Sequence, residues 1–133
     1  MSLYGEHVMD HFKAPRGRGT LANATVKLDD TNPLCGDKIT VHLRIDEDGI
    51  ILGALHEASG CAISQAGSSI LFEELAGKNI REVLTMPNDA ILREFGTTLS
   101  VSRVKCALLG LAAVKKAIIL NAEPRPKDAS VNK

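Results

Sequence analysis

The sequence predicts an α+β fold, with a three-stranded antiparallel sheet and helices packed on one of its faces. Two patterns and their order carry this reading. Residues 38–45, KITVHLRI, alternate strictly, with Ile39, Val41, Leu43 and Ile45 on one side and Thr40, His42 and Arg44 on the other. Beyond Cys61 the apolar residues recur at helical spacing instead. All strand-like segments precede all long helical ones, which favours a sheet covered by helices over alternating βαβ units.

Taken in order, residues 3–13, LYGEHVMDHFK, form a short helix with Leu3, Val8 and Phe12 loosely on one face. Pro15, Gly17 and Gly19 in APRGRG end it. Residues 24–29 are a first strand, 38–45 a second, and DEDG at 46–49 a hairpin turn into a third within IILGALHEA. A helix opens after Gly60-Cys61 and stops near Gly77, with Ile63, Ala66, Ile70 and Leu71 as its buried stripe. NIREVLTM and NDAILREF are shorter helical pieces divided by Pro87. The last helix runs from about Ser100 to Leu120, with an apolar stripe of Val104, Leu108, Leu111, Ala112, Ile118 and Ile119. The expected organisation is one domain over residues 1–120 and a flexible tail over 121–133, where two prolines interrupt a segment without apolar pattern.

The 133 residues suffice for one domain with a modest core, and at 3% aromatic content that core must be aliphatic. Sixteen basic residues balance sixteen acidic ones, so charge gives no case for a nucleic-acid or membrane partner. No apolar run approaches the roughly 20 residues that cross a bilayer, and MSLYGEHVMD lacks the apolar region of a signal peptide. A cytoplasmic location is expected, where thiols stay reduced.

That compartment makes the cysteines informative. There are three, an odd number that disfavours a disulfide framework. Cys35 follows an Asn-Pro turn signal and precedes Gly36-Asp37; Cys61 lies where the third strand gives way to a helix; Cys106 lies near the start of the last helix. They are 26 and 45 residues apart, so no Cys-x-x-Cys pair marks a metal site. Cysteine is often a small buried hydrophobe, and Cys106, beside Val104 and Leu108, fits that description. Cys35 does not. Helix amino termini favour thiolates, Lys105 adds positive charge beside Cys106, and Asp37 could supply a fourth ligand. Three thiolates and one oxygen or nitrogen would complete a tetrahedral zinc site or four ligands around two irons.

Other motifs are weaker. His7 and His11 are four residues apart, but Val8 stands where a zinc-protease helix needs its glutamate, so both are expected to be solvated. His42 and His56 are expected at the surface of their strands. Lys13, Arg16 and Arg18 form a solvated loop or, alternatively, a docking patch for an acidic surface. A cysteine-nucleophile enzyme would need a base near one thiol, and no Cys–His motif is visible.

NPLCGD, SGCAIS and RVKC, in this order, resemble the iron–sulfur cluster assembly scaffold family of IscU, SufU and the N-terminal part of NifU. YGEHVMDHFKAPRGRGTL is similar to that family's first helix and Pro-Arg loop. The resemblance spans roughly residues 3–120. It implies that Cys35, Asp37, Cys61 and Cys106 hold a transient [2Fe–2S] cluster or a zinc ion. It further implies iron as a component, sulfur delivered to one of the three cysteines by a cysteine desulfurase, and apo iron–sulfur proteins as acceptors. The expected function is therefore a scaffold rather than an enzyme, with a SufU-type zinc-dependent sulfurtransferase as the alternative. The IscU type carries histidine before the third cysteine; here Lys105 stands there and is expected to act electrostatically. The Leu-Pro-Pro-Val-Lys segment gripped by an Hsp70-type chaperone is replaced by LSVSRVK, which leaves that partner without its grip. RVKCALLG is closer to SufU, yet 45 residues between the second and third cysteines leave no room for the SufU insertion.

Overall fold

The structure is a computed structural model describing residues 5–32, 36–96 and 99–122. Its elements follow in the order α1 (Gly5–Lys13), β1 (Val26–Asn32), β2 (Asp37–Ile45), β3 (Ile51–Ser59), α2 (Ala62–Leu75), α3 (Ile80–Leu84), α4 (Asp89–Leu92), a 3₁₀ turn (Arg93–Phe95) and α5 (Val101–Ala122). The sheet is the expected antiparallel meander, ordered β1-β2-β3. Its register pairs Asn32 with Asp37 at one end and Val26 with Leu43 at the other, while Ile39 faces Ala58 and Val41 faces His56 on β3. Directly opposed residues share a face of the sheet. Ile39, Val41, Leu43 and Ile45 therefore form one apolar surface, and all four are buried. Each such side chain contributes about 1.5–3 kcal/mol on burial. Between β2 and β3, Asp46 Oδ1 accepts the N–H groups of Asp48 and Ile50, both at 2.9 Å, which fixes the DEDG turn.

Two helices cover this surface, α5 over β1 and β2 and α2 over β3. They lie so close that a Cβ on Gly67 of α2 would overlap the carbonyl of Ala107 on α5. This contact explains why α2 is buried nearly all round, including Ser64, Ser68 and Ser69, rather than along the expected stripe alone. The face of α5 also differs from expectation. Leu111 and Ile118 are buried, but Ala112 and Ile119 are exposed, and the packed side runs through Cys106, Ala107, Leu109, Ala113, Val114 and Ala117. Small residues at the contact, not the largest apolar ones, decide which side faces in.

The segment after α1 is built into the fold. Gly19 N–H donates to the His56 carbonyl at 2.8 Å and His56 N–H to the Gly17 carbonyl at 2.7 Å, so residues 17–19 run along the edge of β3. Two expectations change here. His11 is buried, with Nδ1 2.6 Å from Ser69 Oγ, and that oxygen also accepts the Arg16 N–H at 2.7 Å. His56 is buried too, its Nε2–H donating to the Arg16 carbonyl at 3.0 Å. His42 is likewise buried, 3.0 Å from Glu57 Oε1. Only His7 is exposed as expected, and it meets Glu94 Oε1 at 3.0 Å. The missing signal was tertiary: His56 shares the inward face with Val41 and its ring lies 4.6 Å from that of Phe72 on α2, while His11 is enclosed against Ser69 of the same helix. Arg16 is similarly committed to internal partners, with Asp10 at 2.6 Å and Glu73 at 3.3 Å, which leaves Lys13 and Arg18 as the exposed cations of its loop.

The carboxyl end of α5 extends two residues past Leu120, to Ala122; the rest of the expected tail lies outside the described residues. No helix among the described residues is long and apolar enough to cross a membrane.

Candidate metal centre

Asp37, Cys61 and Cys106 converge where β2 begins, β3 ends and α5 completes its second turn. One ligand atom from each lies within 4.8 Å of the others. Asp37 is 0% exposed and Cys106 2% exposed, whereas Cys61 is half-buried and gives the site its opening. Cys35 falls outside the described residues; in the sequence it stands two positions before Asp37.

Each placement has a local cause. Asp37 is the first residue of β2, and its pairing with Asn32 puts it on the inward face. Cys61 is the N-cap of the 14-residue α2, in extended conformation at φ −74° and ψ 163°. The first turn of α2 contains no acidic residue, so its unpaired N–H groups look to another element for a partner. Asp37 supplies it: Oδ1 accepts the Cys61 N–H at 2.8 Å, and Oδ2 lies 3.6 Å from Cys61 Sγ. The positive end of the helix thereby stabilises a buried carboxylate. Gly60 permits this approach, because its φ of 122° is open to glycine and a Cβ there would overlap Asp37 Oδ1.

Cys106 is held from the other side. Asn32, at the end of β1, points its Nδ2 at Cys106 Sγ from 3.8 Å. Lys105 is exposed and lines, with Asn32, Leu108 and Lys116, an open groove of about 340 Å³ between β1 and α5. Of the sequence-derived candidates the structure therefore unites Asp37, Cys61 and Cys106, with Lys105 at the rim. Sequence reasoning missed Asn32, which reads as a turn residue before Pro33. Its signal was the period-2 pattern of β1, which puts Asn32 on the inward face with Val26, Leu28 and Asp30.

The donor set suits a thiophilic cation. Two sulfurs and a carboxylate oxygen match zinc or iron and not magnesium or calcium, which take oxygen ligands. Zinc–sulfur bonds of about 2.3 Å place neighbouring tetrahedral ligands roughly 3.5–4 Å apart, a small contraction from the separations present.

The family described as NifU-like N terminal domain matches residues 3–125, nearly the whole chain. The chain belongs to this family. Within it, the chain is 34% identical to the zinc-dependent sulfurtransferase SufU of Bacillus subtilis, over 88% of this chain and 90% of that protein. It is 30% identical to the iron–sulfur cluster assembly scaffold protein IscU of Thermotoga maritima, over 87% and 92% of the two chains. Among solved structures, an assembly scaffold of the SUF system from Fervidobacterium islandicum superposes with a TM-score of 0.76 at 27% identity, covering 86% of this chain and 96% of that one. The NifU-like family thus includes relatives named both as cluster scaffolds and as a sulfurtransferase.

Proposed function

We propose that this protein is an iron–sulfur cluster assembly scaffold on which Cys35, Asp37, Cys61 and Cys106 are the ligands. The observation that carries the proposal is the convergence of a buried carboxylate with two thiols at the amino terminus of α2. Sulfur arrives from a cysteine desulfurase. A thiolate of the site attacks the outer sulfur of the desulfurase persulfide; a new S–S bond forms, the old one breaks, and the desulfurase cysteine leaves as thiolate. Each transferred sulfur must then gain two electrons to become sulfide; ferrous iron gives one per metal as it becomes ferric, and an external thiol or one-electron reductant supplies the rest. Iron and sulfide are then the cargo, a [2Fe–2S] cluster that passes to an apo acceptor protein.

The chain's own residues set the balance between holding and release. Asp37 contributes the harder oxygen ligand, a poorer partner for a cluster iron than a fourth cysteine would be. Half-exposed Cys61 gives a partner access, while buried Cys106 stays behind it. The test is anaerobic reconstitution with ferrous iron, cysteine, a desulfurase and a thiol reductant that takes the persulfide sulfur to sulfide. About two irons and two acid-labile sulfides per cluster, lost when Cys61 or Cys106 is replaced by Ser, are expected. Failure to build any cluster under these conditions would overturn the scaffold reading.

A second reading is a zinc-dependent sulfurtransferase, supported by Lys105 in place of a ligand histidine and by the 34% identity to the Bacillus subtilis protein of that name. When bound, zinc would organise the thiolates and hold their charge. Rapid sulfur acceptance by the zinc-loaded protein, without cluster formation when iron is supplied, would select it.

A further inference from the structure

We infer that Asn32 is a positioning residue for the metal centre, donating an Nδ2–H···S hydrogen bond to the Cys106 sulfur and drawing charge from it. The inference rests on the ligand role proposed for Cys106 and adds a residue outside the ligand set.

Three observations lead to it. Asn32 is nine-tenths buried, on the inward face of β1, where Val26, Leu28 and Asp30 precede it at alternate positions. A primary amide in such a place costs on the order of 1–3 kcal/mol unless it finds a partner. Nδ2 has Cys106 Sγ as a partner at 3.8 Å, and Cys106 is itself only 2% exposed. Second, the main chain of Asn32 does not account for its side chain. Its carbonyl accepts the Gly36 N–H at 2.9 Å, and any residue could do that. Third, Asn32 is the cross-strand partner of Asp37. One pair at the end of the sheet thus carries a carboxylate ligand on β2 and the donor to a thiol ligand on β1, and the register that sets one sets the other.

The chemistry follows from the direction of the bond. The amide nitrogen can only donate, and sulfur bound to a metal keeps lone pairs that accept. Donation withdraws electron density from the sulfur. Hydrogen bonds to cluster sulfurs are among the levers that set reduction potential, and partners beyond the ligands fix ligand orientation. Removing the donor leaves a more electron-rich Cys106 sulfur. Charge transfer from sulfur to metal then requires less energy, and the cluster becomes harder to reduce.

The test uses full-length protein in two loaded forms, cobalt-substituted and cluster-reconstituted. Asn32→Val removes the donor and sets an apolar side chain in a buried position, so folding is retained. Asn32→Asp keeps the shape and substitutes an acceptor. In both, the sulfur-to-cobalt charge-transfer band is expected to move to longer wavelength and the cluster potential to become more negative, further for Asp than for Val. A structural role alone would change the urea midpoint of the metal-free protein and leave band and potential unmoved. Parent-like band and potential in Asn32→Val overturn the inference. Cys106→Ala separates this from failure of the ligand assignment. If it leaves the parent cobalt spectrum intact, Cys106 is not a ligand and the function reading fails; if it abolishes the band while Asn32→Val changes nothing, only the inference fails.

Discussion

Replacing Gly60 with alanine is the sharpest single perturbation of the site, because one methyl group acts on three features together. The residue holds φ at 122°, where a side chain adds on the order of 1–3 kcal/mol of strain. The new Cβ would overlap Asp37 Oδ1 and stand 2.9 Å from the Asp37 Cα, so rotating the carboxylate away relieves only part of the collision. Rotation also breaks the 2.8 Å bond from the Cys61 N–H, a hydrogen bond to a charged acceptor worth about 1.5–3 kcal/mol. Together these give a loss of about 3–6 kcal/mol, a large part of the roughly 5–15 kcal/mol that holds a domain folded. Urea denaturation of the metal-free protein measures the loss, and chelator competition measures zinc affinity, which should fall at least tenfold as Asp37 is displaced. A Gly60→Ala protein within about 0.5 kcal/mol of the parent, with unchanged zinc affinity, would refute the account of how Asp37 is placed.

Stability should also depend on two histidines. Burial holds His11 and His56 below the ordinary value of 6.5, assisted at His11 by the Arg16 charge and opposed at His56 by its bond to the Arg16 carbonyl. The unfolded chain therefore binds more protons. Stability is complete above about pH 6.5 and is lost as pH falls from there through the lower folded-state values, and denaturation midpoints at several pH values should show the decline. His56→Gln, which keeps a donor near Nε2 without titrating, should flatten it. Ser68 Oγ is buried without a hydrogen-bond partner among the described residues, so Ser68→Ala is expected to be neutral or to stabilise by up to about 1 kcal/mol in the same assay. Lys105→Ala should slow sulfur acceptance from a cysteine desulfurase in single-turnover assays and leave zinc affinity nearly unchanged, because an exposed ammonium acts through charge and not as a ligand.

The sheet was legible because β2 announces itself. Its strict alternation fixed the inward face, and the DEDG turn fixed its partner. The meeting of Asp37, Cys61 and Cys106 was legible for a different reason: spacing alone marks no site, but the motifs around these residues resemble those of the family, and Cys61 and Cys106 lie near element ends. Less could be read where two elements had to be known together. The face of α5 depends on Gly67 and Ala107 allowing backbones to touch, so hydrophobicity alone placed Ala112 and Ile119 inward. The burial of His11 depends on Ser69 and Arg16, 58 and 5 residues away, and no local pattern announces such a contact. Asn32 was hidden by its own ambiguity, since a residue before proline at a strand end reads first as a turn.

The central claim is that one metal-binding centre is built from Asp37, Cys61 and Cys106, completed by Cys35. X-ray absorption on the zinc-loaded protein tests it most directly. The account predicts three sulfur ligands at about 2.3 Å and one oxygen at about 2.0–2.2 Å, with one sulfur lost in each of Cys35→Ala, Cys61→Ala and Cys106→Ala and the oxygen lost in Asp37→Ala. A first shell of nitrogen and oxygen alone, or a sulfur count that any one of the three cysteine replacements leaves intact, would contradict it.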